Sequence, residues 1–205
     1  MPNLKEIRSR IASVASTMQI TSAMKMVSAA KLKRAQDKII QMRPYADKLT
    51  QLLGDLTKNL DPSDGGDFSK QRPVKNKLLI TITSNRGLCG GFNANVIKKA
   101  IEVYNQNSNT RILSIGKKSS EFFQKNNYDL IESHDGIYNN LDFNSVASLA
   151  QGIMDKFTQG EYDKIILIYN QFKNAATQNL LTEDFLPIKL AEDNTNQAAS
   201  DYIFE

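Results

Sequence analysis

Apolar residues recur in the first sixty positions at alternating steps of three and four, the spacing of a coiled-coil seam on one helix. The seam continues to Leu60, and a helix of that length extends on the order of 80 Å. Asn3 can cap its start, residues 61–66 end it, and Pro44 should bend it because its ring clashes with the preceding turn. Such a rod needs a partner helix. The main seam residues are Leu4, Ile7, Ile11, Val14, Met18, Leu32, Ala35, Ile39 and Met42.

The seam is interrupted by polar residues at Thr21, Lys25 and Ser28. One interpretation is a weakened coiled-coil register with a solvated face. The other is a second contact surface, because methionines adapt to surfaces that repack and cations attract acidic partners. The residues predicted for that surface are Met24, Lys25, Met26, Val27, Lys31, Lys33 and Arg34.

From Pro73 onward, short apolar runs alternate with amphipathic stretches. This alternation predicts an α/β fold with a mostly parallel, Rossmann-like sheet covered on both faces. The last two strands are close enough in sequence to form a hairpin, which gives the sheet an antiparallel edge. Strands are predicted at 78–83, 111–115, 129–132 and 164–169, with 165–171 and 178–188 as the closing pair, and helices at 93–106, 118–125 and 144–157 with Asp142 or Asn144 as cap.

Four segments follow from these patterns. Residues 1–60 are a coiled-coil helix, 61–76 a linker, 77–190 the α/β body and 191–205 a second linker. The chain of 205 residues has room for one ordinary core and an appendage. It shows no apolar run long enough to cross a membrane and no signal peptide, so we expect a soluble chain that is not exported.

The formal net charge of +4 is unevenly distributed. Residues 1–60 contain eleven Lys and Arg against four acids, a net charge of +7, which leaves −3 for the remainder. A basic arm on a mildly acidic body indicates a negative partner, whether nucleic acid, anionic lipid or an acidic protein surface.

Candidate chemistry is sparse. Cys89 is the only cysteine and His134 the only histidine, which excludes an internal disulfide and a multi-cysteine metal cluster. For Cys89 we favour a small buried side chain over a reactive thiol. We expect His134 to lie in a turn and to have no catalytic role.

The loop after the first strand is rich in glycine, and its spacing fits neither the dinucleotide fingerprint nor the Walker loop. A tight crossing from strand to helix explains the glycines better than a phosphate site. Arg86 either binds an anion or pairs with a carboxylate. We name residues 86–93 the foot loop, which consists of Arg86, Gly87, Leu88, Cys89, Gly90, Gly91, Phe92 and Asn93.

Two long segments, residues 20–35 and 84–93, resemble the gamma subunit of the F-type ATP synthase, and the order of elements agrees along the whole chain to the closing 201–205. The family usually has Asp where Asn85 stands, which affects the local hydrogen bonding of that loop. The resemblance implies a noncatalytic rotor shaft without a cofactor, at the cytoplasmic face of the bacterial inner membrane. Nucleotide is cleaved in the beta subunits of the family.

The resemblance also implies the partners: a ring of alpha and beta subunits, the epsilon subunit and the membrane c-ring. The predicted second surface would face the acidic loops of the beta subunits, and the foot loop would lie in the foot of the rotor. Family members continue into a long C-terminal helix that pairs antiparallel with the first, and this sequence ends before it. We therefore expect residues 4–60 to self-associate, or the arm to fold back or fray.

Two other functions are weaker. A nucleic-acid-binding arm should carry aromatic side chains among its basic residues, and Tyr45 is the only aromatic residue in the first sixty. A small α/β enzyme that uses the glycine-rich loop should bring an acid or a nucleophile to it, and none is evident in the sequence.

Overall fold

The computed structural model describes residues 3–58, 66–106, 109–139, 141–174 and 176–188. The described residues form two compact units, the first ending at Leu56 and the second beginning at Thr57. Several predicted features lie outside the described residues: the seam position Leu60, linker residues 61–65, the end of the body at 189–190 and the second linker at 191–205.

The first unit consists of one helix, α1, which spans Leu4–Lys58 and whose last two residues are counted with the second unit. The side chain of Asn3 accepts a hydrogen bond from the amide of Lys5 at 3.3 Å, as predicted for a cap. The helix passes through Pro44 without a break, and the bend there stays a prediction. The seam residues named above are exposed, with the exception of the half-exposed Ala35.

The second unit is the α/β body, and its fold class is confirmed. Its elements are β1 (Lys77–Ile82), α2 (Phe92–Tyr104), β2 (Thr110–Ile115), α3 (Lys117–Lys125), β3 (Leu130–Ser133), a 3-10 turn (Asp135–Asn139), α4 (Phe143–Thr158), β4 (Lys164–Phe172) and β5 (Gln178–Leu186). The sheet has the order β3-β2-β1-β4-β5, in which β1 to β4 are parallel and β5 is antiparallel to β4. Asp142 caps α4 by accepting the amide of Ser145 at 2.8 Å.

The sheet separates two hydrophobic cores because successive side chains of a strand point to opposite faces. In β1, Leu79 packs with α2 and α3, where Phe123 is fully buried. Leu78 and Ile80 point the other way and pack with α4, where Phe157 is fully buried. The predicted coverage of both faces is thus confirmed.

The described part of the predicted linker is attached to the body. Phe68 packs against the core beneath α4 and its carbonyl accepts the amide of Ile188. The guanidinium of Arg72 lies 4.6 Å from the ring centroid of Phe157 and donates to the carbonyl of the same residue at 2.6 Å. From Gly66 onward the chain is therefore a part of the body and not a free connection.

Candidate functional site

The predicted contact surface of α1 divides among several faces of the helix. Residues four and seven apart share a face, so Ile20, Met24 and Val27 form one line that continues through three cations. Its members follow successive seam positions by two and three residues in turn, so this line runs roughly 110° around the helix from the seam. We name it the outer stripe; it consists of Ile20, Met24, Val27, Lys31, Arg34 and Lys38.

Four of the seven predicted interface residues lie on the outer stripe: Met24, Val27, Lys31 and Arg34. Lys25 lies on the seam, and Met26 and Lys33, seven residues apart, share a third face. Ile20 and Lys38 belong to the stripe although the sequence pattern did not single them out. The signal that identifies them is helical spacing.

The apolar part of the outer stripe is as accessible as the seam. Ile20, Met24 and Val27 expose 56%, 64% and 56% of their surfaces. Isolated helices with two exposed apolar lines are not stabilised by their own packing, so both lines are suited to contact other protein surfaces.

The middle of α1 carries a run of positive charge. Residues 7–36 contain no Asp or Glu, and none of their six cations forms an ion pair with a described residue. A helix balances charge through acids three or four residues away, and Asp37 and Glu6 have that spacing from three of the cations. Lys25 and Lys31 have no acid at this spacing, so their compensation has to come from outside α1. The cations are Arg8, Arg10, Lys25, Lys31, Lys33 and Arg34.

Asn93, the first buried residue of α2, holds the foot loop. Its side-chain oxygen accepts the amide of Ser84 at 3.0 Å, and its amide nitrogen lies 2.9 Å from the Ser84 hydroxyl and 3.2 Å from the Arg86 carbonyl. The same nitrogen lies 3.1 Å from Cys89 Sγ. One side chain therefore fixes both ends of the turn between β1 and α2.

The prediction that Cys89 is buried is wrong. Cys89 is exposed, because the loop turns outward at Leu88 with a φ of 59° and again at Gly90 with the same φ. Of the three glycines in the loop, Gly90 is the one whose backbone conformation favours glycine. Arg86 is exposed and forms no ion pair with a described residue.

Asn85 explains how this chain accommodates its departure from the family pattern. Its side-chain oxygen accepts the amide of Lys117 at 2.9 Å, which an aspartate would do equally well. Its amide nitrogen donates to the carbonyl of Asp135 at 2.8 Å, which an aspartate cannot do. Asn85 thus connects the ends of β1, β2 and β3.

A buried hydroxyl network lies beneath Asn85, and the sequence pattern did not reveal it. Ser119 Oγ is 2.7 Å from Thr83 Oγ1 and 2.5 Å from Ser114 Oγ. Ser120 Oγ donates to Asp135 Oδ1 at 2.7 Å. These residues are scattered along the chain, and each is unremarkable in isolation. The network satisfies buried polar groups and so has a structural role.

His134 lies between β3 and the 3-10 turn, beside two charged side chains. Its Nε2 lies 3.1 Å from a carboxylate oxygen of Glu132, which is also hydrogen-bonded to Lys156. The bond from Lys156 is the main reason why the pKa of Glu132 is lowered. Within the described ranges no three metal-ligating side chains converge, and none of the helices has the length and apolar character needed to span a membrane.

Replacing Asn93 with Ala should loosen the foot loop. The buried amide supports three loop residues, so we expect a loss of about 1–3 kcal/mol in the free energy of unfolding of the body. The exposed Asn95, two residues later on the same helix, is the control, and Asn95→Ala should change stability by less than ~0.5 kcal/mol. Denaturant unfolding measures both; equal losses would contradict the role of Asn93.

Comparisons with known proteins agree with one another. The family model described as ATP synthase matches residues 3–205. The ATP synthase gamma chains of Flavobacterium psychrophilum and Christiangramia forsetii are 54% and 50% identical to this chain, over its whole length and 72% of theirs.

Comparison with solved structures agrees with the sequence comparisons. The chain resembles one in the central stalk and c-ring structure of the Tetrahymena thermophila mitochondrial ATP synthase, with a TM-score of 0.64 and 30% identity over 82% of this chain and 72% of the other. A chain of the Euglena gracilis mitochondrial ATP synthase rotor has a TM-score of 0.60 at 22% identity, covers 89% of this chain and 62% of the other, and shows a shared fold. The chain belongs to the family of ATP synthase gamma chains.

Proposed function

We propose that this chain is the noncatalytic central-stalk rotor subunit of a proton-translocating F-type ATP synthase. It couples proton flow through the membrane ring to ATP synthesis in the alpha and beta subunits. The observation that carries the proposal is α1 itself: a helix of 55 residues with an exposed apolar seam and a separate outer stripe on another face. The identity to gamma chains along the whole sequence supports it.

The two lines of α1 have different partners in this proposal. The seam pairs with a helix, as coiled-coil seams do. The outer stripe faces the beta subunits, where its exposed apolar side chains slide and repack and its cations meet acidic groups. Met26 and Lys33 contact a neighbouring subunit of the same ring as the helix turns, because they lie on a third face.

The body forms the foot of the rotor and binds the epsilon subunit and the c-ring. The foot loop suits such a contact, since Leu88 and Cys89 are exposed at its outermost turn and Asn93 holds its base. The chain is then a peripheral protein at the cytoplasmic face of the bacterial inner membrane. It needs no cofactor, and catalysis belongs to the beta subunits.

Charge reversal on the outer stripe tests the proposal. The double variant Lys31→Glu and Arg34→Glu should weaken binding to purified alpha–beta rings by roughly tenfold to a hundredfold, because two attractive contacts become repulsive. Binding is measured by surface plasmon resonance at 50 mM and 500 mM salt, and the affinity of the unmodified chain should fall at the higher concentration.

The control is the same charge change on the body. Lys125→Glu with Lys173→Glu alters two exposed cations outside α1 and should leave ring binding within about threefold of the unmodified chain. No association of the unmodified chain at either salt concentration would refute the rotor assignment. Equal weakening by both double variants would refute the role of the outer stripe.

A further inference from the structure

We propose that Lys25 selects the partner helix of the α1 seam and sets its register, and that this partner places a carboxylate opposite Lys25. The inference rests on the proposed function, in which the seam pairs with a helix. It adds a specificity determinant to a surface that is mostly apolar.

Lys25 stands in line with the apolar seam. It is seven residues after Met18 and seven residues before Leu32, which is two helical turns in each direction. Met18 and Leu32 expose 66% and 49% of their surfaces, so the seam is accessible on both sides of the lysine. A helix that covers both apolar segments must also pass over Lys25.

Lys25 is the polar group of the seam interruption with the reach to contact a partner. The hydroxyl of Thr21 is already directed to its own helix, at 3.0 Å from the carbonyls of Thr17 and Met18. Ser28 has a short side chain, whereas the lysine ammonium extends on four methylene groups and carries three donors.

α1 offers no acid that could neutralise Lys25. The positions three and four residues away hold Thr21, Ser22, Ser28 and Ala29, and residues 7–36 contain no Asp or Glu. A partner helix partly removes the ammonium from water, and an unpaired buried charge is costly. A carboxylate opposite Lys25 removes that cost in one register, whereas a shift by a heptad brings an apolar residue or a gap there.

A second copy of this chain is a poor occupant of the seam. The antiparallel arrangement that superimposes two seams over residues 4–56 pairs residues whose numbers sum to sixty, which places Lys25 beside Ala35 and next to Arg34 of the other copy. A parallel arrangement places Lys25 against Lys25. Both arrangements gather cations in the middle of the helix, so the predicted self-association of residues 4–60 should require high salt.

Three synthetic helical peptides test the proposal. All have the same apolar heptads complementary to seam residues 7–42, and they differ at one central position, which carries Glu, Ala or Lys. Because the position is central, it faces Lys25 in both orientations. The 205-residue chain should bind the Glu peptide roughly fivefold more tightly than the Lys peptide in 50 mM salt, measured by fluorescence anisotropy.

Charge exchange then separates a register effect from overall charge. Lys25→Glu should reverse the order, so that the Lys peptide binds more tightly than the Glu peptide. Arg34→Glu makes the same charge change nine residues later, a rotation of about 180° around the helix, and should preserve the original order. Sedimentation of the chain without peptide, at 50 mM and 500 mM salt, measures self-association in parallel.

Each outcome is informative. Equal binding of the three peptides, or an order that Lys25→Glu leaves unchanged, overturns the role of Lys25 while the rotor proposal stands. A chain that binds none of the peptides overturns seam pairing itself, and the role of Lys25 with it. A stable dimer in 50 mM salt overturns the acidic partner in favour of a second copy.

Discussion

Gly116→Ala is expected to unfold the body or to destabilise it by roughly 3 kcal/mol or more. Gly116 has a φ of 105°, which side-chain-bearing residues rarely adopt. An added Cβ would lie 2.0 Å from the carbonyl oxygen of Thr83 and 2.8 Å from its carbonyl carbon, both backbone atoms. Relief would require β1 and β2 to separate where the hydroxyl network joins them.

Gly152→Ala is the matched control. Gly152 lies within α4, and an added Cβ would meet nothing within 4 Å, so this variant should be more stable by about 0.5–1 kcal/mol. Hydrogen exchange of the sheet amides, read by mass spectrometry, reports the body separately from α1. Protection of β1 and β2 that is unchanged in Gly116→Ala would contradict the predicted clash.

Phe157→Ala should cost about 3–5 kcal/mol, the usual range for emptying a buried aromatic position. Phe157 is fully buried against β1 and β4, and Arg72 lies over its ring. The variant removes the contact with Arg72 as well as the core packing. The attachment of residues 66–76 should therefore loosen, with faster hydrogen exchange in that segment.

Phe143→Ala provides the comparison on the same helix. Phe143 is the first residue of α4 and exposes 84% of its surface, so its removal should change the free energy of unfolding by less than ~0.5 kcal/mol. Denaturant unfolding, with hydrogen exchange as the probe of the body, gives the free energy of unfolding of both variants. Similar losses in the two variants would show that burial of Phe157 does not carry the stability assigned to it.

The elements of the body could be predicted because their signals are local. Buried parallel strands are continuous apolar runs, and Leu78–Ile80 or Ile165–Ile168 cannot be placed elsewhere without exposing them. Asp142 was one of two candidate caps, and the amide of Ser145 decides in its favour. The strand order was not predicted, because it depends on which apolar faces meet after the chain has folded back.

The predicted interface residues divide among several faces because neighbours in sequence diverge on a helix. Met24, Lys25 and Met26 are consecutive, yet they point to three different faces. Cys89 was misplaced because apolar character suggested burial, whereas the positive φ of Leu88 turns the loop outward. The side chain of Asn85 donates to the carbonyl of Asp135, fifty residues away, and no local sequence pattern predicts that contact.

The exposure of Cys89 has a practical consequence. It is the only sulfhydryl in the sequence, so a maleimide reagent would attach to a single atom of the unmodified chain. Asn93 holds the loop that carries Cys89 by hydrogen bonds, which limits the motion of an attached label relative to the body. A gold bead or a fluorophore attached there would follow the angular steps of the body in a single-molecule recording without any engineered cysteine.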